Sequence, residues 1–264
     1  MSGLLANHIA AVTGAGSGIG RAIAQGYARE GAQVAVLDLN GEAASETAQQ
    51  ILNAGGRAMA FTLDVTDRDA CRVMATKVAG EVGNISILVN NAGINRRNAF
   101  TGEASAVIKD WEDIIAINLN GTFNVTRLAI PHLKKSQAGV IINMSSVAGR
   151  FGYANRSAYS ATKWGIVGFT KTLSIELGKF GIRANAILPG SVEGDRIQRV
   201  FENRAKASGK SLEQIKKEAM TVQSIKRFVD PRDIAALVIF LASDAAKSIS
   251  GQMLPIDNDM QQAS

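Results

Sequence analysis

The sequence of 264 residues predicts a doubly wound α/β domain, a mostly parallel seven-stranded sheet with helices on both faces. Short apolar runs alternate with helical patterns of ten or more residues, the spacing of right-handed β-α-β units. The run QVAVLD at residues 33–38 is apolar enough to be buried on both faces, as strands of parallel sheets are. No linker, repeat or break in composition divides the chain, so one domain over residues 1–264 is expected.

Hydrophobic periodicity and turn residues place the elements in order. The first apolar run leads into a glycine-rich turn, and Gly31 ends the helical pattern that follows. Strands are expected at residues 8–13, 33–38, 57–63, 85–89, 139–144, 182–188 and 252–256. Helices are expected at residues 19–29, 42–53, 67–82, 107–135, 156–179 and 231–242, with two short ones between 194 and 222. Ligands of such sheets bind beyond the carboxyl ends of the strands, so site residues should follow the strands.

Composition limits the possible classes of protein. Residues 194–232 carry ten lysines and arginines against five acids, and the rest of the chain is nearly neutral although the whole carries a formal charge of +6. Mixed charge at helical spacing is typical of a solvated face, so no nucleic-acid partner is expected. No apolar run reaches the roughly 20 residues of a membrane span. The first residues lack a signal-peptide pattern, so no membrane association is expected.

Cysteine and histidine usage narrows the expectation further. The single cysteine, Cys71, excludes an internal disulfide and fits a reducing compartment, so a cytoplasmic location is expected. His8 and His132 lack metal-ligand spacing, so no metal site is expected.

A glycine-rich turn, TGAGSGIG at residues 13–20, joins the first expected strand to the first helix. Glycines allow a tight turn and let backbone N–H groups approach a pyrophosphate, which the helix N-terminus stabilises. The turn therefore predicts a dinucleotide site, with a merely flexible loop as the alternative. The expected contacts are Gly14, Ser17, Gly18, Ile19 and Gly20.

Asp38 ends the second expected strand, 18 residues after Gly20. A carboxylate there can accept hydrogen bonds from adenosine ribose hydroxyls and repels a 2′-phosphate. Neither Ser17 nor Leu39 offers that phosphate a positive charge. The expected cofactor is therefore NAD rather than NADP, with a strand-end cap as the alternative role of Asp38.

Small and polar residues follow the later strands as well. Asp64 could accept a hydrogen bond from the adenine amino group, with a simple turn residue as its alternative role. The other expected cofactor contacts at strand ends are Val65, Asn91, Ala92, Gly93, Pro189, Gly190 and Val192.

Three side chains raise the question of a reaction centre, although a Tyr–Lys pair at helical spacing also arises by chance in many helices. Ser146 follows the fifth expected strand, 13 residues before Tyr159. Lys163 lies four residues after Tyr159, one helical turn away on the same face. A hydroxyl at a strand end can donate a hydrogen bond to a substrate carbonyl.

Taken together, these residues and motifs resemble those of the short-chain dehydrogenase/reductase superfamily, in its single-domain branch. They follow the family's order along nearly the whole chain. The matching marks are TGAGSGIG, Asp64-Val65, NNAG at residues 90–93, Asn118, Ser146, YSATK at residues 159–163, and Pro189-Gly190. The resemblance implies a Rossmann-type fold and hydride transfer between NAD(H) and a secondary alcohol or ketone.

The resemblance also implies a catalytic set of four residues. Tyr159 would act as general acid or base on the substrate oxygen. Lys163 would stabilise the phenolate and hold the nicotinamide ribose, so Tyr159 and Lys163 are expected cofactor contacts too. Ser146 would orient and polarise the carbonyl. Asn118 would hold a water that passes protons between Lys163 and solvent.

Two places depart from the family's pattern. Gly194 stands where a threonine is common, so a side-chain contact to the cofactor amide is lost. Asn258 and Asp259 follow Asp257 where two glycines are common, so the loop after the last strand is expected to differ.

The resemblance places the substrate against loops 93–101 and 147–156 and a helical lid at about 191–226. Arginines in the two loops, together with the basic residues of the lid, suggest an anionic substrate, with surface solubility as the more ordinary explanation. The loop arginines are Arg96, Arg97, Arg150 and Arg156. A homodimer or homotetramer pairing the long helices is also implied. Other activities that fit the same residues are a nucleotide-binding sensor that has lost catalysis and an imine or quinone reductase.

Overall fold

The protein forms a seven-stranded parallel sheet. The structure is a computed structural model and describes residues 3–136 and 138–262; residues 1, 2, 137, 263 and 264 of the predicted domain lie outside it. The strands are β1 (Ile9–Thr13), β2 (Gln33–Asp38), β3 (Arg57–Thr62), β4 (Ile87–Asn90), β5 (Val140–Met144), β6 (Arg183–Pro189) and β7 (Met253–Ile256). Their order across the sheet is β3-β2-β1-β4-β5-β6-β7, every pair parallel. The predicted fold class is confirmed.

Helices connect the strands and cover both faces of the sheet. They are α1 (Gly18–Arg29), α2 (Gly41–Asn53), α3 (Arg68–Glu81), α4 (Ala104–Ile114), α5 (Thr122–Lys135), α6 (Ser157–Gly178), α7 (Asp195–Ser208), α8 (Leu212–Ala219) and α9 (Pro231–Ala242). The two short helices expected between residues 194 and 222 are α7 and α8.

Alternate strand residues feed two separate cores. Val12 and Ile87 belong to the apolar cluster that packs against α1 and α9. Their neighbours Ala11 and Leu88 point to the opposite face, into the cluster under α3, α5 and α6. A strand alternates its side chains between faces, so each apolar run supplies both cores at once.

The strand order reverses at β1, which pairs with β2 on one side and β4 on the other. The loops that leave β1 and β4 therefore separate at the carboxyl edge of the sheet and open a crevice there. That crevice holds the candidate site.

The long helical region expected at residues 107–135 differs from the structure in two respects. It begins earlier, at Ala104, because the Glu103 carboxylate accepts hydrogen bonds from Ser105 N and Ala106 N and caps the first turn. A π-helical segment, Ile115–Gly121, also interrupts it between α4 and α5. Such π segments are often found at functional sites, and this one carries Asn118.

Candidate active site

A cavity of about 980 Å³ opens at the carboxyl edge of the sheet. It collects sixteen of the eighteen predicted site residues from loops far apart in sequence. Gly20 and Asn118 are outside its lining. The predicted residues that line it are Gly14, Ser17, Gly18, Ile19, Asp38, Asp64, Val65, Asn91, Ala92, Gly93, Ser146, Tyr159, Lys163, Pro189, Gly190 and Val192.

The glycine-rich turn is tightly packed at Gly20 and open at Gly18. A Cβ on Gly20 would lie 2.1 Å from the Gly14 carbonyl oxygen, so a side chain there cannot fit. Gly18 has a φ of +52°, and a Cβ built on it would meet nothing within 4 Å. Ser17 occupies the N-cap position of α1, but its side chain makes no capping hydrogen bond. The first-turn N–H groups of α1 are therefore available to an anion at the cavity.

Asn91 and Thr13 lock this turn to the end of β4. Asn91 Nδ2 donates to the carbonyl oxygens of Thr13 and Gly14, both at 3.0 Å. Thr13 Oγ1 accepts from the backbone N–H groups of Asn91 and Ala92 at 3.0 and 3.1 Å. The predicted wall residue Asn91 therefore also sets the shape of the turn.

Asp38 caps its strand end, the alternative role considered for it, and its predicted contact to the adenosine ribose stays a prediction. Its Oδ1 accepts from Asn40 N at 2.9 Å and its Oδ2 from Gly16 N at 2.8 Å, which caps the strand end and holds the glycine turn. The same carboxylate lines the cavity. Arg21, a cation on α1, donates to the Gly16 carbonyl oxygen and pairs with Glu46 at 3.0 Å.

Asp64 and Val65 are held by the loop that follows β3. Asp64 Oδ1 accepts from Thr66 N at 2.8 Å and from Thr66 Oγ1 at 2.7 Å, a turn-forming arrangement. The Val65 carbonyl oxygen accepts from Asn124 Nδ2 at 3.0 Å. Both residues line the cavity, which keeps the predicted adenine contact geometrically open.

Helix α6 presents Tyr159 and Lys163 to the cavity on one face. Lys163 Nζ lies 5.4 Å from the Tyr159 ring centroid and donates to the Met144 carbonyl oxygen at 2.8 Å. Ser145 Oγ donates to the Lys163 carbonyl oxygen at 2.8 Å. Met144 at the end of β5 thus holds the ammonium group of Lys163, and Ser145, the next residue, holds its backbone carbonyl.

Ser146 follows directly and is buried at the cavity wall. Its Oγ accepts from Ala148 N at 3.1 Å. That bond uses a lone pair of the hydroxyl and leaves its hydrogen to be donated elsewhere. A substrate oxygen in the cavity is one acceptor that fits.

Asn118 is buried behind the wall and holds the loop after Gly93. Its Oδ1 accepts from Ile94 N at 2.8 Å, and its Nδ2 donates to Ile94 O at 2.9 Å and to Thr162 Oγ1 at 3.4 Å. The side chain therefore positions the cavity wall, a role that sequence reasoning did not anticipate. The water contact expected of it stays a prediction.

The structure corrects two of the four arginines expected to face a substrate. Arg96 is outside the cavity lining and pairs with Asp110 and Asp113 of α4, and those hydrogen bonds raise the pKa of Arg96 and lower that of Asp113. Arg150 is likewise outside the lining and donates to the Met260 carbonyl oxygen at 2.8 Å. Sequence does not reveal these partners, because they come from elements distant in the chain.

The other two expected arginines, Arg97 and Arg156, do line the cavity. Arg156 stacks its guanidinium over the Tyr153 ring at 4.4 Å. Helix α7 contributes two further cavity-lining arginines, Arg199 and Arg204.

Backbone conformation explains both departures from the family's pattern. Gly194 has a φ of +144°, which side chains rarely adopt, so a threonine here would be strained. Asn258 and Asp259 have φ values of 58° and 55°. Asn and Asp tolerate this left-handed conformation best among residues with a side chain, so they keep the backbone course that glycines allow.

Several residues of the site were missed by sequence reasoning. Thr162 and Ile94 form hydrogen bonds with Asn118. Met144 accepts a hydrogen bond from Lys163 through its backbone carbonyl, a contact that the residue type does not predict. Tyr153 and Met260 line the cavity. Tyr153 lies in the 147–156 loop, so its position could have suggested it.

Among the residues that the structure describes, neither a metal-binding cluster nor a membrane-spanning helix is found. Within residues 3–136 and 138–262, no three His, Cys, Asp or Glu side chains are grouped to hold a metal ion. No helix of that part is both long and apolar enough to cross a membrane.

Comparison with known proteins gives a consistent result. The short chain dehydrogenase family matches residues 8–205. The 3-oxoacyl-(acyl-carrier-protein) reductase FabG of Thermotoga maritima is 35% identical over 97% of this chain and 98% of its own length. The D-threitol dehydrogenase of Mycolicibacterium smegmatis is 40% identical over 94% of this chain and 91% of its own. The chain belongs to the short-chain dehydrogenase/reductase superfamily, whose members are oxidoreductases that act on CH–OH or C=O groups with a nicotinamide dinucleotide.

Proposed function

We propose that this protein transfers a hydride between NAD(H) and a secondary alcohol or ketone, with Tyr159 as the general acid or base. One observation carries the proposal: Tyr159, Lys163 and Ser146 line the same cavity as the glycine-rich turn of α1. A nucleotide bound at the turn and a substrate carbonyl near Ser146 would then lie in the same cavity.

The residues that line the cavity support binding of a nicotinamide dinucleotide. The open space at Gly18 and the uncapped start of α1 suit the pyrophosphate, and Asp38 suits the adenosine ribose. Pro189 and Gly190, at the end of β6, suit the nicotinamide end. When bound, the cofactor supplies or accepts the hydride.

The protein side chains would handle the substrate oxygen and its proton. Ser146 Oγ would donate a hydrogen bond to that oxygen and orient it. Tyr159 would give its hydroxyl proton to the oxygen during reduction, or take it from an alcohol during oxidation. The Lys163 ammonium, held by Met144 O, would stabilise the resulting phenolate. Asn118 would keep the wall in place and, as expected from the family, hold a water for proton exchange.

The preference for NAD over NADP is proposed from Asp38. Its carboxylate is fixed by Gly16 N and Asn40 N, so it cannot swing away from a phosphate without losing both bonds. The guanidinium of Arg21 is already engaged by Glu46 and the Gly16 carbonyl. A 2′-phosphate beside Asp38 would therefore meet like charge.

We also propose that the substrate carries an anionic group such as a carboxylate. The support is the set of arginines that reach the cavity from three elements: the loop after β4, the start of α6, and α7. They are Arg97, Arg156, Arg199 and Arg204.

Two arginine variants provide a matched test of this substrate class. Arg97→Ala should lower kcat/KM for a hydroxy acid relative to its neutral ester about tenfold, since hydrogen bonds to charged groups contribute about 1.5–3 kcal/mol. Arg29→Ala, at an exposed position in the last turn of α1 and outside the cavity lining, should leave that ratio unchanged. Equal acid and ester kinetics in the wild type would reject the anionic substrate.

The remaining proposals concern architecture and assembly. Residues 1–264 would form one nucleotide-binding domain, with residues 191–226 as a lid whose helices α7 and α8 line the cavity at Phe201 and Ala219. A homodimer or homotetramer would bury the exposed apolar side chains of α4, α5 and α6. These are Ile108, Trp111, Phe123, Trp164 and Ile175. A cytoplasmic location fits the single, unpaired Cys71.

A direct assay tests the proposed activity. The enzyme is mixed with NAD⁺ or NADP⁺ and a panel of secondary alcohols, and with the reduced cofactors and the matching ketones. Reduced-nicotinamide absorbance should change with NAD(H) for at least one pair. A strong preference for NADP(H) would contradict the role given to Asp38.

A further inference from the structure

The C-terminal segment, residues 257–261, runs antiparallel to the base of the lid, residues 222–227. Ser224 N donates to Asp259 O at 3.1 Å, and Gln261 N donates to Val222 O at 2.7 Å. Gln223 and Met260 pair between these two bonds as an antiparallel bridge. Residues 259–261 are therefore attached to the segment that follows α8.

Side chains strengthen this attachment. Asn258 Nδ2 donates to the Arg227 carbonyl oxygen at 2.7 Å, and the Ser224 hydroxyl donates to the Asp259 carboxylate. Glycines at residues 258 and 259 could follow the same left-handed backbone but could not make either bond. The Asn-Asp pair thus joins the C-terminal segment to the lid base in a way that a Gly-Gly pair could not.

Arg150 holds the segment from the other side. It follows the short turn that begins at Ser146, and its Nη2 donates to Met260 O at 2.8 Å. The same nitrogen lies 3.5 Å from Oδ2 of the buried Asp257. Arg150 therefore connects the loop that carries the reaction centre to the last residues of the chain.

These contacts fix Met260, which is 5% exposed and lines the cavity. Tyr153, Ala219 and Val222, from the loop after β5 and the lid, line the same cavity, and Val222 O accepts from Gln261 N beside Met260. We propose that Met260 sets the size limit of the substrate, and that Arg150, Asn258 and Asp259 are positioning residues that hold it there. This rests on the proposed function, because it assigns the substrate end of the same cavity.

The size limit is tested with a series of ketones of increasing chain length. Met260→Ala should raise kcat/KM for the longer members about tenfold relative to the shortest, since one methylene in an apolar pocket changes specificity roughly 10–200-fold. The Kd for NADH should stay within twofold. Met59→Ala, a partly exposed methionine on β3 outside the cavity, is the control and should leave the size profile unchanged. An unaltered profile in Met260→Ala would overturn the proposal.

The positioning role is tested with the double variant Asn258→Gly/Asp259→Gly, since glycine allows the same left-handed backbone but removes both side-chain bonds. Its KM for the preferred ketone should rise about fivefold with kcat within twofold, and amide exchange at Ser224 and Gln261 should accelerate. Asn7→Gly, at a φ of 68° and outside the cavity lining, is the control and should change neither.

The two proposals fail in different ways. Amide exchange is measured without substrate, so unchanged exchange in the double variant would overturn the attachment whatever the activity. A wild type that converts no ketone would instead contradict the proposed function.

Discussion

Lys163 Nζ donates a hydrogen bond of 2.8 Å to the carbonyl oxygen of Met144, the last residue of β5. The buried ammonium is thereby fixed at the strand end that leads into Ser146. Its position relative to the Tyr159 ring, 5.4 Å from the centroid, is set by the sheet as well as by α6.

Replacing Lys163 with methionine should therefore impair chemistry more than folding. Methionine keeps most of the chain's volume but removes the charge that would favour the phenolate. We expect kcat to fall about 10²-fold or more, the usual range for lost acid–base assistance. Steady-state kinetics with far-UV circular dichroism as a folding control would measure this. A kcat within threefold of the wild type would argue against the role of Lys163.

Asn118→Ala should destabilise the protein. The change leaves Ile94 N–H and C=O without the partners that the amide supplies at 2.8 and 2.9 Å. An unsatisfied buried backbone group costs about 1–3 kcal/mol, and Ile94 is half-buried at the cavity wall, so we expect the free energy of unfolding to fall by about 1 kcal/mol or more. Urea denaturation measures it, and a loss below about 0.5 kcal/mol would contradict the positioning role.

Asp38→Asn should relax the choice of cofactor. At about 5 Å and an effective dielectric near 20, a carboxylate and one phosphate charge repel by about 3 kcal/mol. Asparagine keeps an acceptor oxygen for Gly16 N but removes that repulsion. We expect kcat/KM with NADP to rise tenfold or more relative to NAD. An unchanged ratio would show that Asp38 does not set the preference.

Cys71 should be protected from alkylation in the folded protein. Burial, followed by the charges of Asp67 and Asp64, raises the pKa of its thiol from 9.0 to about 11. At pH 8 the thiolate fraction is then about 0.1%, which makes reaction slow. An alkylating reagent such as iodoacetamide should label the native protein far more slowly than the urea-unfolded one. Comparable rates would contradict the buried position.

The same raised pKa makes stability depend on pH in the alkaline range. The unfolded thiol loses its proton near pH 9, whereas the folded thiol keeps it to about pH 11. The stabilising effect is therefore complete below pH 9 and is lost as pH rises to about 11. Cys71→Ala should lose less stability than the wild type over this window when both are followed by urea denaturation.

Much of the fold was predictable because its signals are local. The run at residues 33–38 and the glycine turn at 13–20 fix a strand and a helix start without help from the rest of the chain. Residues placed after strands then meet at one sheet edge, because parallel strands end there together. That rule predicted that Asp38, Asn91 and Ser146, each at or just after the end of a strand, would line one cavity.

Side-chain partners were harder to foresee because they depend on packing between distant elements. Arg96 was expected to face the substrate, yet it pairs with Asp110 and Asp113 of α4 and lies outside the cavity lining. Arg150 donates a hydrogen bond to the carbonyl oxygen of Met260, 110 positions later in the sequence. No local pattern indicates either pairing, nor the bond between Asn118 and Ile94.

The most direct test of the central claim compares the wild type with Tyr159→Phe. Reduced-nicotinamide absorbance is followed over the panel of secondary alcohols and ketones, and the Kd for NADH is measured by fluorescence for both proteins. We predict turnover of at least one pair by the wild type, a loss of about 10³-fold in the variant, and Kd values within about twofold. Binding of NADH with no turnover by the wild type, or equal turnover by Tyr159→Phe, would contradict the claim.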